Sequence, residues 1–113
     1  MRCTKKTSGK RKSKKACPLN TCLEFLAGAW TPEILWSLRE QPKRFGDLKR
    51  ELDQISSKVL TARLRELQKQ GLLTRKVLPS SPPAVQYSLT ELGLQFDPVL
   101  VAIAQVSLQL KKR

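Results

Sequence analysis

Histidine is absent from these 113 residues, and only nine side chains are acidic. The commonest general base and metal ligand is therefore missing. No carboxylate pair suits acid–base work, and the five glycines form no phosphate-cradling loop, so an enzyme is not expected. The three cysteines, Cys3, Cys17 and Cys22, lack the Cys-x-x-Cys spacing and do not complete a four-ligand set. No metal or other cofactor is expected, and the plain reading is free thiols in a reducing compartment. With six aromatic residues and no aromatic pair to stack bases on a sheet, an RNA-binding platform has little support. No run of about 18 apolar residues occurs, so no membrane partner is expected. The basic start continues to Lys15 without the apolar stretch of a secretory signal, and the chain reads as cytoplasmic.

What is abundant is positive charge. The formal net charge is +13, from 22 basic and 9 acidic residues. Such a bias points to a polyanionic partner. Residues 1–15 carry eight basic side chains and no acidic one, and Lys111, Lys112 and Arg113 add three more. The middle is nearly balanced, with 11 basic against 9 acidic residues, so there the placement of charge matters more than its sum. Residues 1–16 read as a disordered basic tail, either solubilising or in contact with phosphates. Residues 17–110 read as one folded domain, and 111–113 as a basic end.

Along the domain, Leu19, Leu23 and Leu26 mark a first helix over 19–29. Thr31 as cap, Pro32 in the first turn and Glu33 predict the start of a second, with Ile34, Leu35 and Leu38 inward. Phe45, Leu48 and Leu52 give a third, and Trp30 and Phe45 read as core. After the Asp53-Gln54 turn, Ser56 or Ser57 caps a fourth helix with Leu60, Leu64 and Leu67 inward, and Gly71 ends it. Leu72–Val77 and Val85–Leu89 read as strands around a proline-rich loop, which make a wing. In the last region Leu92, Phe96, Val99, Ile103, Val106 and Leu110 form a core stripe. Leu94, Val101 and Leu108 form an offset one that a second subunit would cover. Pro98 predicts a kink or break there.

The fold class expected is therefore mainly α with a small β-hairpin wing, a winged helix-turn-helix. Two short helices around a tight turn place the second in the DNA major groove. With its leucines turned inward, the fourth helix presents Ser57, Lys58, Thr61 and Arg65 as base-reading candidates. No acidic residue lies between Asp53 and Arg65. Lys43, Arg44, Arg63, Arg75 and Lys76 are candidates for phosphate contacts, which position without reading sequence. Two alternatives stay open: a winged-helix module that binds a protein partner, and a non-specific nucleic-acid-binding protein.

The chain also resembles a known family. Its carriers are Cys17-Pro18, Gly28-Ala29-Trp30-Thr31, Arg44-Phe45, Ile55-Ser56, Arg63-Leu64-Arg65-Glu66-Leu67, Gly71-Leu72, Pro82-Pro83 and Tyr87-Ser88-Leu89-Thr90, with Gly93 and Pro98 beyond them. In order and spacing these are similar to the HxlR-type regulators, a branch of the MarR-like winged helix-turn-helix transcription factors. The resemblance implies a cytoplasmic homodimer that binds double-stranded operator DNA, joined through its first and last helices. It also implies Cys17 as a candidate redox or electrophile sensor, beside the alternative of an idle thiol. Nearby Lys14 and Lys15 would favour its thiolate. The resemblance names no small-molecule effector. The chain departs from the family pattern at Ala29, Gln70 and the long basic tail.

Overall fold

A computed structural model describes residues 17–112. The expectations for the 1–16 tail lie outside the described residues. The element order is α1 (Asn20–Leu26), α2 (Thr31–Leu38), β1 (Lys43–Arg44), α3 (Phe45–Glu51), α4 (Ser57–Lys69), β2 (Leu73–Leu78), β3 (Ala84–Leu89), α5 (Glu91–Leu94) and α6 (Asp97–Lys111). The strands form one antiparallel sheet in the order β1-β3-β2. Ile34, Leu35, Leu38, Leu48, Ile55, Leu60, Leu64, Leu67, Leu72 and Leu73 form the centre of the core, and Tyr87, Phe96 and Leu100 close it.

Several elements follow directly from local chemistry. The Ser56 hydroxyl accepts the Val59 amide at 3.1 Å and so caps α4; one orphan donor of the first turn is satisfied. Gly71 ends the helix region with φ of 82°, where a side chain would be strained. Pro98 sits in the first turn of α6, so the last region is broken, as expected, between α5 and α6.

Other expectations are corrected. Thr31 does not cap α2. It is the first helical residue, buried, and the residue before it, Trp30, takes a left-handed backbone (φ 67°) with no side-chain cap bond. In α1 only Leu26 of the expected stripe is buried, while Leu19 and Leu23 face solvent. Cys22 and Phe25 turn inward instead, and the Phe25 ring lies 5.9 Å from that of Phe96. Trp30 and Phe45 are core-packed but only partly buried. In the last region the core takes Phe96, Leu100 and part of Val99, and leaves Leu92, Ile103, Val106 and Leu110 exposed. Leu100 lies one turn after Phe96 and sits between the two expected stripes. Helix α6 also continues into the basic end, to Lys111.

The segment Glu91–Lys111 has 21 residues and is long and apolar enough, by length and composition alone, to cross a membrane. That qualifies the sequence reading. Its first half anchors in the core through Phe96 and Leu100, and the Asp97 carboxylate accepts the Arg39 guanidinium at 2.6 Å. That contact ties the start of α6 to the end of α2, and the Arg39 guanidinium also lies 4.6 Å over the Trp36 ring.

Candidate nucleic-acid interface

The α3–turn–α4 unit presents one polar face. Leu60, Leu64 and Leu67 are fully buried, so helical geometry turns Ser57, Lys58, Thr61 and Arg65 outward, and all four are exposed. With Ser56 capping and no carboxylate between Asp53 and Arg65, the N-terminal half of α4 is a convex, positively polarised ridge. A major groove about 12 Å wide admits such a helix.

The sheet sorts the basic residues by face. Directly paired residues of neighbouring strands share a face, and successive residues alternate. Lys43, Tyr87 and Arg75 therefore form one row across β1, β3 and β2. Arg44, Gln86 and Lys76 form the next, on the opposite face. The first row is on the core side, where Tyr87 is buried; the second is on the outer side, where Thr74 and Ser88 bond at 3.1 Å. Arg75 and Lys76, adjacent in sequence, thus point to opposite sides of the hairpin.

One of the phosphate candidates, Lys43, has a partner of its own. The Lys43 ammonium lies 2.7 and 2.8 Å from the Glu51 carboxylate oxygens, and its side chain is only 16% exposed. The Ser37 hydroxyl donates to the same carboxylate. These bonds hold the Glu51 carboxyl below its ordinary range, with Lys43 the larger cause and Ser37 the second. Lys43 thereby fastens β1 to α2 and α3. Arg63 is half-buried. Its guanidinium fills the space over Gly28, where a β-carbon would lie 2.7 Å from a terminal nitrogen. Arg44, Arg75 and Lys76 are exposed, and none of the three is in an ion pair with a described residue.

Between α4 and the sheet lies a cleft of about 410 Å³ lined by Thr61, Arg65, Gln68, Arg75 and Tyr87. Arg65 and Arg75 thus line one cleft, while Ser57 and Lys58 stay at the leading end of the helix. Sequence reasoning missed Gln68 and the part played by Tyr87. The 61, 65, 68 spacing places one row on a helix face, but nothing local shows which strand that row will meet.

Of the remaining candidates, Cys17 precedes α1, is half-buried, and is disulfide-bonded, which corrects the reading of three free thiols. Cys22 is free and packs against the core. Among the described residues no group of three His, Cys, Asp or Glu could hold a metal ion. Leu94 and Leu108 are exposed, and Val101 is partly buried.

Known proteins share both sequence and fold with this chain. MalR of Fusobacterium mortiferum is 44% identical over 91 residues, which cover 80% of this chain and 86% of MalR. A MarR-family structure from Porphyromonas gingivalis W83 superposes with a TM-score of 0.79 at 35% identity, covering 88% of this chain and 97% of that one. The redox regulator HypR, in its oxidized form, gives 0.76 at 31% identity, over 82% of this chain and 96% of that one. The model of the HxlR-like helix-turn-helix family matches residues 25–113. The chain belongs to that family, and with its winged helix-turn-helix it is a DNA-binding transcriptional regulator and not an enzyme.

Proposed function

We propose that the chain acts as a homodimer on operator DNA, with α4 of each subunit in a major groove and the β2–β3 hairpin against the flanking backbone. The observation that carries this reading is the acid-free outer face of the N-terminal half of α4, held by three buried leucines and the Ser56 cap. Ser57, Lys58, Thr61 and Arg65 are the base-reading set on that face. Arg44 and Lys76, which share the outer face of the sheet, and Arg75 on the inner face are the phosphate contacts. Arg63, half-buried beside Gly28 and in no ion pair with a described residue, stays a phosphate candidate, and Lys43 drops out of that set because it is paired with Glu51.

The dimer reading is supported by apolar surface that the chain leaves uncovered. Leu19 just before α1, Leu23 on it, and Ile103, Val106, Leu108 and Leu110 on α6 are each about half or more exposed. Surface of this kind on the first and last helices marks a protein contact. Such a dimer works in the cytoplasm. Likeness to the redox regulator HypR supports Cys17 as a redox-responsive position.

Selection of duplexes from a random pool, repeated at two salt concentrations, tests the reading. A preferred sequence with two half-sites is expected, and retention of every duplex alike would overturn operator recognition. If no duplex is retained while the chain remains a dimer, a protein-binding winged helix takes its place.

A further inference from the structure

The cleft between α4 and the sheet brings together groups that do not belong together without a ligand. Arg65 and Arg75 both line it, one from the helix and one from β2. Neither is in an ion pair or a hydrogen bond with any described residue. Both side chains are exposed, and two guanidiniums lining one space carry like charge with no counter-charge between them. Beneath them stands Tyr87, paired directly with Arg75 across the β2–β3 ladder and therefore on the same face. Tyr87 is 9% exposed, yet its hydroxyl has no hydrogen-bond partner among the described residues. A buried tyrosine hydroxyl ordinarily finds one. Gln68 and Thr61 complete the wall with an amide and a hydroxyl.

Every one of these groups donates hydrogen bonds, and no carboxylate lines the cleft. Two forked cations with a neutral donor at the base match a tetrahedral oxyanion, since guanidinium groups bind phosphate oxygens in pairs. We propose that this cleft is a phosphate seat in which Arg65 and Arg75 share a single phosphoryl group and the Tyr87 hydroxyl donates to one of its oxygens. The inference rests on the DNA-binding reading for its first ligand source, a phosphate of the DNA backbone. It moves Arg65 from base reading to backbone anchoring. A phosphorylated small molecule is the second source, with the same chemistry.

The test uses the full chain and its Arg65→Ala, Arg75→Ala, Arg65→Ala/Arg75→Ala and Tyr87→Phe variants, each checked for an unchanged melting temperature. Gln68→Ala, on the exposed helix surface, serves as a further probe should Tyr87→Phe fold poorly. In one arm, binding to a random-sequence duplex is followed against salt. If both arginines share one phosphate, each single change leaves the salt slope nearly intact. The double change then lowers it by about 0.9 per subunit, and not by about twice that. Tyr87→Phe weakens binding about tenfold at unchanged slope, as loss of a neutral donor to a charged oxygen should. In the other arm, inorganic phosphate is added against chloride at matched ionic strength, and melting is followed without DNA. Stabilisation of the wild type that disappears in the double variant, with duplex binding unaffected, assigns the seat to a small phosphorylated ligand. A wild type that binds no duplex but is stabilised by phosphate keeps the seat and removes the DNA reading. If the variants change neither duplex affinity nor the response to phosphate, or if each arginine separately lowers the slope by about 0.9, the shared seat is wrong.

Discussion

Gly93 lies against the backbone of Leu72 so closely that a β-carbon on it would stand 2.4 Å from the Leu72 carbonyl oxygen. The same carbonyl accepts the Thr90 amide at 3.0 Å, and the Thr90 hydroxyl donates to the Gly71 carbonyl at 2.6 Å while accepting the Gly93 amide. The end of α4, the start of β2 and the end of β3 are thereby fastened at one point. The angle between the recognition helix and the wing is set there.

Gly93→Ala therefore displaces backbone and is expected to destabilise the fold by about 1–3 kcal/mol. Gly46→Ala is the contrast, since its β-carbon would meet only the Arg50 side chain at 3.8 Å. Inside α3, alanine should stabilise by up to about 1 kcal/mol. Denaturant melts of both variants check the pair, and equal effects would contradict the close approach at Gly93.

The Lys43–Glu51 pair predicts an acid dependence. The folded-state pKa of Glu51 is lowered from 4.5, so its contribution to stability is complete above that value. It is lost as pH falls through the lower, folded one. Because Glu51 is 45% exposed, solvent screens the pair and the effect is small. Melting temperature against pH for wild type and Glu51→Gln should converge in acid. Curves that stay parallel would show that the pair adds no pH-linked stability.

On DNA, Lys58→Ala should cost about 1–3 kcal/mol on the preferred operator and relax selection at one position. Lys76→Ala should weaken every duplex alike and lower the salt slope by about 0.9 per subunit. Titrations of operator and scrambled duplex separate the two. Equal loss on both duplexes for Lys58→Ala would take that residue out of base reading.

Leu108 is 62% exposed, so Leu108→Glu should leave the fold of one chain intact and break the dimer. Sedimentation at micromolar protein should show two chains for the wild type and one for the variant. A monomeric wild type would remove the dimer. A variant that stays dimeric would place the contact away from Leu108.

The eight basic residues of 1–15 predict a sequence-independent contribution to binding. If about four charges per subunit meet phosphates, a chain starting at Ala16 should lose about 7 from the salt slope of the dimer. Discrimination between operator and scrambled DNA should be kept. Identical slopes for the two lengths would leave the tail a solubilising role only.

The sequence by itself determined the elements whose signals are local. Leu60, Leu64 and Leu67 at helical spacing, Ser56 before them and Gly71 after them define α4 without reference to the rest of the chain. The Val85, Tyr87, Leu89 alternation likewise defines β3 and its inner face. Tertiary structure decided what depends on partners distant in sequence. β1 is two residues long and exists only because β3 pairs with it. Helices α1 and α6 carry more apolar residues than one chain can cover, so periodicity marks the stripes but not which residues the core takes. Packing chose Phe25, Leu26, Phe96 and Leu100 and left Leu23, Ile103 and Val106 outside. Arg65 reads from sequence as one more outward side chain of α4. The register that sets Tyr87 opposite Arg75 brings Arg65 and Arg75 to one cleft, because strand pairing is a long-range choice that no local spacing encodes.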